Sequence, residues 1–115
     1  MSDPISPNLF PLPLTAWELY MLLDDRPAYP MTSVIDVRLS GRLDEEAFRA
    51  AVDDVLKRHP LLACRIQRHR LRMPCWIPAP ELQPKLDWAS AGTPKVCPDG
   101  VRIDLRRELG WRIWV

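Results

Sequence analysis

The side chains that could bind a metal or attack a substrate are few: His59, His69, Cys64, Cys75 and Cys97. Zinc sites place their ligands at short spacings such as Cys-x-x-Cys or His-x-x-x-His. None of these residues is spaced in that way, so the sequence predicts no metal site and no cofactor. No Gly-x-Ser-x-Gly elbow is present, and neither histidine stands in the context of a catalytic triad. The four glycines of the chain are too few for a glycine-rich phosphate loop.

His59 stands at the end of a helical pattern and directly before a proline. It could be a catalytic base, a metal ligand or a structural residue at the joint between two elements. A hydrogen-bonding side chain at a helix C-terminus can satisfy the last carbonyls of the helix. The pattern therefore favours the structural role. The neighbouring acid pairs, Glu45-Glu46 and Asp53-Asp54, point in different directions on that helix and are interpreted as its solvated face.

Two helices are predicted around these residues. In the first, residues 15–25, Thr15 is the N-cap and Glu18 its capping-box partner. The second helix spans residues 44–59, with Asp44 as N-cap. Its apolar stripe is expected to lie on a sheet. The stripe comprises Ala47, Phe48, Ala51, Val52, Val55 and Leu56, and the first helix is expected to turn Trp17, Tyr20, Met21 and Leu23 toward other elements.

Several strands are predicted from apolar alternation. Residues 32–41 form one candidate, with Ile35, Val37 and Leu39 on one face. Residues 61–66 and 72–77 predict a hairpin with a turn at His69-Arg70. That turn would place the core thiols of Cys64 and Cys75 opposite each other, and Leu62 opposite Ile77. Shorter strands are expected at residues 85–89 and 111–115.

Together these elements predict one α+β domain or lobe, with helices packed on one face of a small mixed or antiparallel sheet. We divide it into an extended arm (1–13), a helix-strand-helix-hairpin core (14–77), a proline-rich loop (78–100) and a terminal strand region (101–115). The chain ends in the middle of an aromatic, apolar strand pattern. It is therefore expected to be cut rather than finished.

Charge and composition exclude several classes of function. Sixteen basic and fifteen acidic residues nearly cancel, which argues against a general nucleic-acid partner. A basic block from Lys57 to Arg72 leaves a nucleic-acid binder as a minor alternative, but it is interpreted as a solvated face. No secretory signal and no run of about 20 apolar residues is present. Three cysteines indicate a reducing cytoplasm.

Residues 13–66 resemble the N-terminal part of condensation domains and CoA-dependent acyltransferases, which share the chloramphenicol acetyltransferase-like fold. The match runs through "PLTAWELY", "MTSVIDVRLSGRLDEEAFRAAVDDVLKRHPLL" and, less specifically, "GVRIDLRRELGWRIWV". The first piece is similar to the opening helix. The second is similar to the first long strand, the Gly-x-Leu-Asp turn, the first major helix and the Arg-His-x-x-Leu signature. The positions that match the signature are Gly41, Leu43, Asp44, Arg58, His59 and Leu62.

The resemblance implies acyl transfer from acyl-CoA or an acyl-carrier protein to an alcohol or amine, without a metal. In the family, the second histidine of a His-His-x-x-x-Asp-Gly motif is the general base, and the histidine matched by His59 is structural. This sequence has no His-His pair. Its one Asp-Gly, Asp99-Gly100, is preceded by Pro94 and Lys95 where the histidines would stand. We therefore expect a catalytically incomplete N-terminal portion with no catalytic residue.

A second interpretation is a stand-alone binding or self-assembly module that uses the same half-fold. Trp76, Trp111 and Trp114 are candidates for exposed aromatic residues that would contact a partner chain. A homodimer that pairs the terminal strands fits this interpretation.

Overall fold

The computed structural model of this protein describes residues 9–90, 92–93 and 102–115. Its α-helices are α1 (Ala16–Asp24) and α2 (Glu45–Arg58), and a 3-10 helix, Pro60–Ala63, follows α2 directly. The strands are β1 (Leu12–Pro13), β2 (Cys64–Gln67), β3 (Cys75–Pro78), β4 (Lys85–Asp87) and β5 (Arg112–Trp114). This is an α+β fold, as the sequence predicts.

The strands form two small sheets. One is antiparallel with β3 between β1 and β2, and the other pairs β4 with β5 in parallel. The predicted arm, residues 1–13, ends in β1 of the antiparallel sheet. Residues 1–8 of this arm lie outside the described residues. The predicted loop, residues 78–100, contains β4; its residues 91 and 94–100, with Cys97 and Asp99-Gly100, also lie outside.

The predicted hairpin forms, but its register is wrong. Cys64 pairs with Pro78 and not with Cys75, so the pairing is displaced by three residues. An odd displacement moves a strand's side chains to the other face of the sheet. Cys64 and Cys75 therefore lie on opposite faces. The connection is also longer than the turn expected at His69-Arg70, since residues 68–74 separate the two strands.

Helix α1 begins as predicted. The Thr15 side chain accepts a hydrogen bond from the backbone N–H of Glu18, and the Glu18 carboxylate accepts one from the N–H of Thr15. The face that it turns to the sheet differs from the expected one. Trp17, Tyr20 and Leu23 are 70%, 56% and 61% exposed, and the rings of Trp17 and Tyr20 stack at 5.6 Å between centroids.

Glu18 explains the orientation of α1. Its carboxylate also accepts a hydrogen bond of 2.8 Å from the indole N–H of Trp76 in β3. Residues three, four and seven positions further along a helix share a face with the first. The bond therefore turns Met21, Leu22 and Asp25 toward the sheet, and it leaves the aromatic pair on the outer face.

Helix α2 lies within the predicted residues 44–59, with Asp44 and His59 as its cap residues, but its apolar stripe is not buried. No residue of α2 is fully buried, and Val55 is 36% exposed. Phe48 makes an edge-on contact with Trp88 at 5.6 Å, and the helix lies mainly against the 3-10 turn that follows it. The expected burial of this stripe against a sheet is therefore wrong.

Residues 32–41 do not form the predicted strand. They adopt no regular secondary structure, and residues 31–40 are all exposed. Ile35 is 85% exposed, and Val37 and Leu39 are 64% and 69% exposed. A strand requires a neighbour to bond its backbone groups, and none of the described strands pairs with this segment. Alternation alone was therefore not sufficient to make a strand here.

The core lies between α1, the three-stranded sheet and the C-terminal segment. The buried apolar residues are Leu14, Cys64, Ile66, Cys75, Ala79, Ile103 and Leu109. Ile66 is 1% exposed, and its backbone N–H donates a bond of 2.7 Å to the carbonyl of Leu105 in the C-terminal segment. None of the described helices has the length and hydropathy needed to cross a membrane.

Candidate functional site

His59 joins α2 to the 3-10 turn through its backbone. Its N–H donates to the carbonyl of Val55 at 2.9 Å, and its own carbonyl accepts a bond of 2.9 Å from Leu62 N–H. The residue is exposed. This is the structural position that the sequence favours. Among the described residues, no three or more His, Cys, Asp or Glu side chains are placed to hold a metal ion.

The residues that match the family signature lie at the two ends of α2. Gly41 has φ of +109°, a conformation that favours glycine. Asp44 occupies the N-cap position, but its side chain makes no capping bond. Leu43 and Leu62 are 47% and 38% exposed. Arg58 forms a salt bridge with Asp54, with 3.1 Å between Nε and the carboxylate oxygen. The residues thus shape the ends of one helix and do not converge on a shared site.

A cavity of about 280 Å³ lies between α1 and the sheet. Its wall is mainly apolar and includes Leu14, Met21, Leu22, Ile66, Trp76 and Ile103. Two carboxylates, Glu18 and Asp25, also reach it. Apolar walls with a few placed polar groups are typical of small-molecule sites, and this cavity has that character.

The Glu18 carboxylate is held in its ionised form. Burial raises its pKa, but the hydrogen bonds from the Thr15 backbone, the Trp76 indole and the Thr15 side chain outweigh burial, so the pKa is lowered overall. An ionised carboxylate whose oxygens already accept bonds is a poor proton donor and a weak base. We therefore assign Glu18 a positioning role between α1 and β3.

Asp25 connects α1 to two distant parts of the chain. One of its oxygens accepts a bond of 2.6 Å from Nε of Arg102, and the other accepts a bond of 2.9 Å from the N–H of Met31. The ion pair with Asp25 raises the pKa of Arg102. Both carboxylates at the cavity thus have protein partners, and no histidine or cysteine nucleophile lines it.

Replacing Asp25 with Asn should lower the midpoint of urea unfolding. The amide keeps a single acceptor oxygen for two donors and loses the charge that Arg102 faces. Arg49→Gln is the matched control, because its pair with Glu45 at 2.9 Å is half-exposed and such pairs contribute little. Equal midpoints for Asp25→Asn and the control would show that Asp25 does not hold the C-terminal segment to α1.

A second cavity, of about 430 Å³, lies between α2 and residues 79–83. Asp53 and Lys57 lie on its wall with apolar neighbours, and its lining contains no histidine or cysteine. It offers one charge of each sign but no nucleophile. It is not a second candidate for catalysis.

The basic block is largely a solvated surface, as the sequence predicts. Arg58 pairs with Asp54, and Arg65 donates to the carbonyl of Arg106 at 3.5 Å. The cysteine inside the block is inert: Cys64 is buried, its thiol donates to the carbonyl of Pro60 at 2.9 Å, and burial raises its pKa. Cys64 and Cys75 are free thiols, not a disulfide.

The three tryptophans predicted to be exposed differ in how much of their side chain is exposed. Trp114 is 36% exposed, whereas Trp76 is partly buried against Glu18. Trp111 is partly buried and its indole N–H donates to the carbonyl of Leu62 at 3.0 Å.

The links from Glu18 to Trp76 and from Asp25 to Arg102 were not predicted. The sequence indicates Glu18 only as a capping residue. Asp25 offered a usable signal, because an acid at a helix C-terminus opposes the helix dipole and so calls for a cationic partner elsewhere.

No protein family, curated protein or solved structure matches this chain. Any assignment of its function therefore depends on its own residues.

Proposed function

We propose that this chain is the N-terminal portion of a condensation-like acyltransferase. The order of α1 with its capping box, the Gly41 turn, α2 and the Arg58-His59 stop supports the proposal, since the resemblance implies that order. The observation that carries it is the exposed segment 31–40. The resemblance makes this segment a long strand of a sheet, so its neighbours would come from a part of the enzyme beyond this chain.

In the reaction, an alcohol or amine attacks the carbonyl carbon of an acyl thioester. The new ester or amide bond forms as the carbon–sulfur bond breaks, and the thiol of CoA or of an acyl-carrier protein leaves. A histidine takes the proton of the acceptor. This chain has no paired histidines, so its proposed contribution is scaffold and not catalysis. A cytoplasmic location goes with the proposal, because the described thiols are free and thiols stay reduced there.

The test compares the product of the whole reading frame with residues 1–115 alone. Thiol release from acetyl-CoA and from longer acyl thioesters is followed with an alcohol or an amine as acceptor. We expect turnover by the whole product and none by residues 1–115. Turnover by residues 1–115 that is lost on His59→Ala would contradict the proposal, as would the absence of paired histidines from the whole product.

A self-assembly module is the second candidate. The exposed, stacked pair of Trp17 and Tyr20 and the exposed Trp114 on β5 favour it, because aromatic residues are enriched at interfaces. In this case residues 1–115 would form a defined oligomer, and β5 would pair with its copy. The Trp114 variant in the experiment below tests that pairing.

A further inference from the structure

The exposed segment 34–40 carries a sequence that is complementary to itself. Ile35, Val37 and Leu39 alternate with Asp36 and Arg38. The apolar members are among the most exposed large side chains of the described residues. A segment with this alternation gains stability only when another strand bonds its backbone and covers its apolar face.

Two copies placed antiparallel about Val37 satisfy this pattern. Ile35 then faces Leu39 of the other copy, and Val37 faces Val37, so the apolar side chains share one face of the ribbon. On the other face Asp36 lies opposite Arg38, and two-fold symmetry makes this pair twice. Opposite charges directly across a strand pair stabilise it.

Other arrangements of two copies are less favourable. Parallel pairing in register would set Asp36 beside Asp36 and Arg38 beside Arg38, and like charges directly opposite destabilise a sheet. A shift of one residue would place Val37 opposite Asp36 or Arg38, against the alternation. The charge order thus selects one direction and one register.

We propose that residues 34–40 pair antiparallel with the same residues of a second copy of this chain, about a two-fold axis at Val37. The inference does not depend on the acyltransferase proposal and gives this segment a different partner: there its neighbours would come from the rest of the enzyme, and here they come from a second copy. The paired surface is small and a segment without regular secondary structure must form a strand, so we expect dissociation in roughly the micromolar range.

The experiment measures the molar mass of residues 1–115 by sedimentation equilibrium between about 1 µM and 1 mM. We expect wild type to dimerise, and Asp36→Arg and Arg38→Asp each to weaken dimerisation at least ~10-fold, because like charges then face each other. Mixing the two variants should restore a one-to-one dimer. The double exchange D36R/R38D should restore the homodimer, because opposite charges then face each other again.

The restored pairs are the decisive result, since Asp36 also interacts within its own chain and its single variant could act through that contact. Glu81→Arg and Arg70→Asp are matched charge reversals at exposed positions and should leave the dimer intact, as should Trp114→Ala. Far-UV circular dichroism confirms that each variant folds.

Three results would overturn the proposal. A wild-type monomer at every concentration would show that segment 34–40 does not pair with a second copy. A dimer that is insensitive to both single charge reversals, or one that is lost on Trp114→Ala alone, would place the interface elsewhere. The acyl-transfer assay reads a separate property, so either proposal can fail without the other.

Discussion

Ile66→Ala should lower the free energy of unfolding by about 2–5 kcal/mol. Ile66 is 1% exposed and is the largest side chain at the centre of the core. It packs in the sheet opposite Trp76 and lies on the wall of the cavity below α1. Removing its side chain enlarges a cavity that already exists, so the neighbouring side chains gain little by closing around it. Urea unfolding followed by tryptophan fluorescence measures the loss.

Leu71→Ala is the matched control for Ile66→Ala. Leu71 is also a branched aliphatic residue of the hairpin, but it is 97% exposed. Its substitution should change the free energy of unfolding by less than about 0.5 kcal/mol. Similar losses for the two variants would show that the segment around Ile66 is not the core of the fold.

Glu18→Ala should lower the free energy of unfolding by about 2–3 kcal/mol. The substitution removes the acceptor for the N-cap backbone of Thr15 and leaves the Trp76 indole N–H without its partner. It also frees the rotation of α1 that the bond to Trp76 fixes. Glu46→Ala is the control, because it changes an exposed acid in the first turn of α2 and should have a small effect.

The contribution of Glu18 should depend on pH in a defined direction. Its folded pKa lies below its ordinary value of 4.5, so the stabilisation is fully present above that pH. It is lost as the pH falls through the folded pKa. The stability difference between wild type and Glu18→Gln should therefore be largest near pH 7 and shrink below about 4.5. A difference that stays constant down to pH 2 would show that Glu18 acts through shape alone.

The local elements could be predicted because their causes lie within a few residues. Thr15 and Glu18 are three positions apart. Helix α2 ends just before Pro60, because a proline has no backbone N–H to continue the helix and restricts the residue before it. Both strands of the hairpin were found from their apolar residues. Its register was not, since the connection at residues 68–74 is too long to fix the pairing by turn geometry alone.

The candidate site was not predictable to the same degree. The cavity depends on which face of α1 meets the sheet, and a bond between residues 58 positions apart decides that. The face of α1 that carries Trp17 and Tyr20 has two large aromatic side chains, so the sequence predicts that this face is buried. The bond from the Trp76 indole to the Glu18 carboxylate goes with the opposite rotation, and a hydrogen bond to an ionised carboxylate is stronger than one between neutral groups.

The sequence by itself determined where helices α1 and α2 begin and end, the α+β class and the absence of a recognisable catalytic motif, because caps, periodicity and motif spacing are local properties. Only the tertiary structure decided the hairpin register, the exposed face of α1 and the link from Asp25 to Arg102 across 77 positions. It also left residues 31–40 uncovered. A strand pattern states what a segment could pair with, but pairing needs a neighbour in space, and no local sequence can supply one.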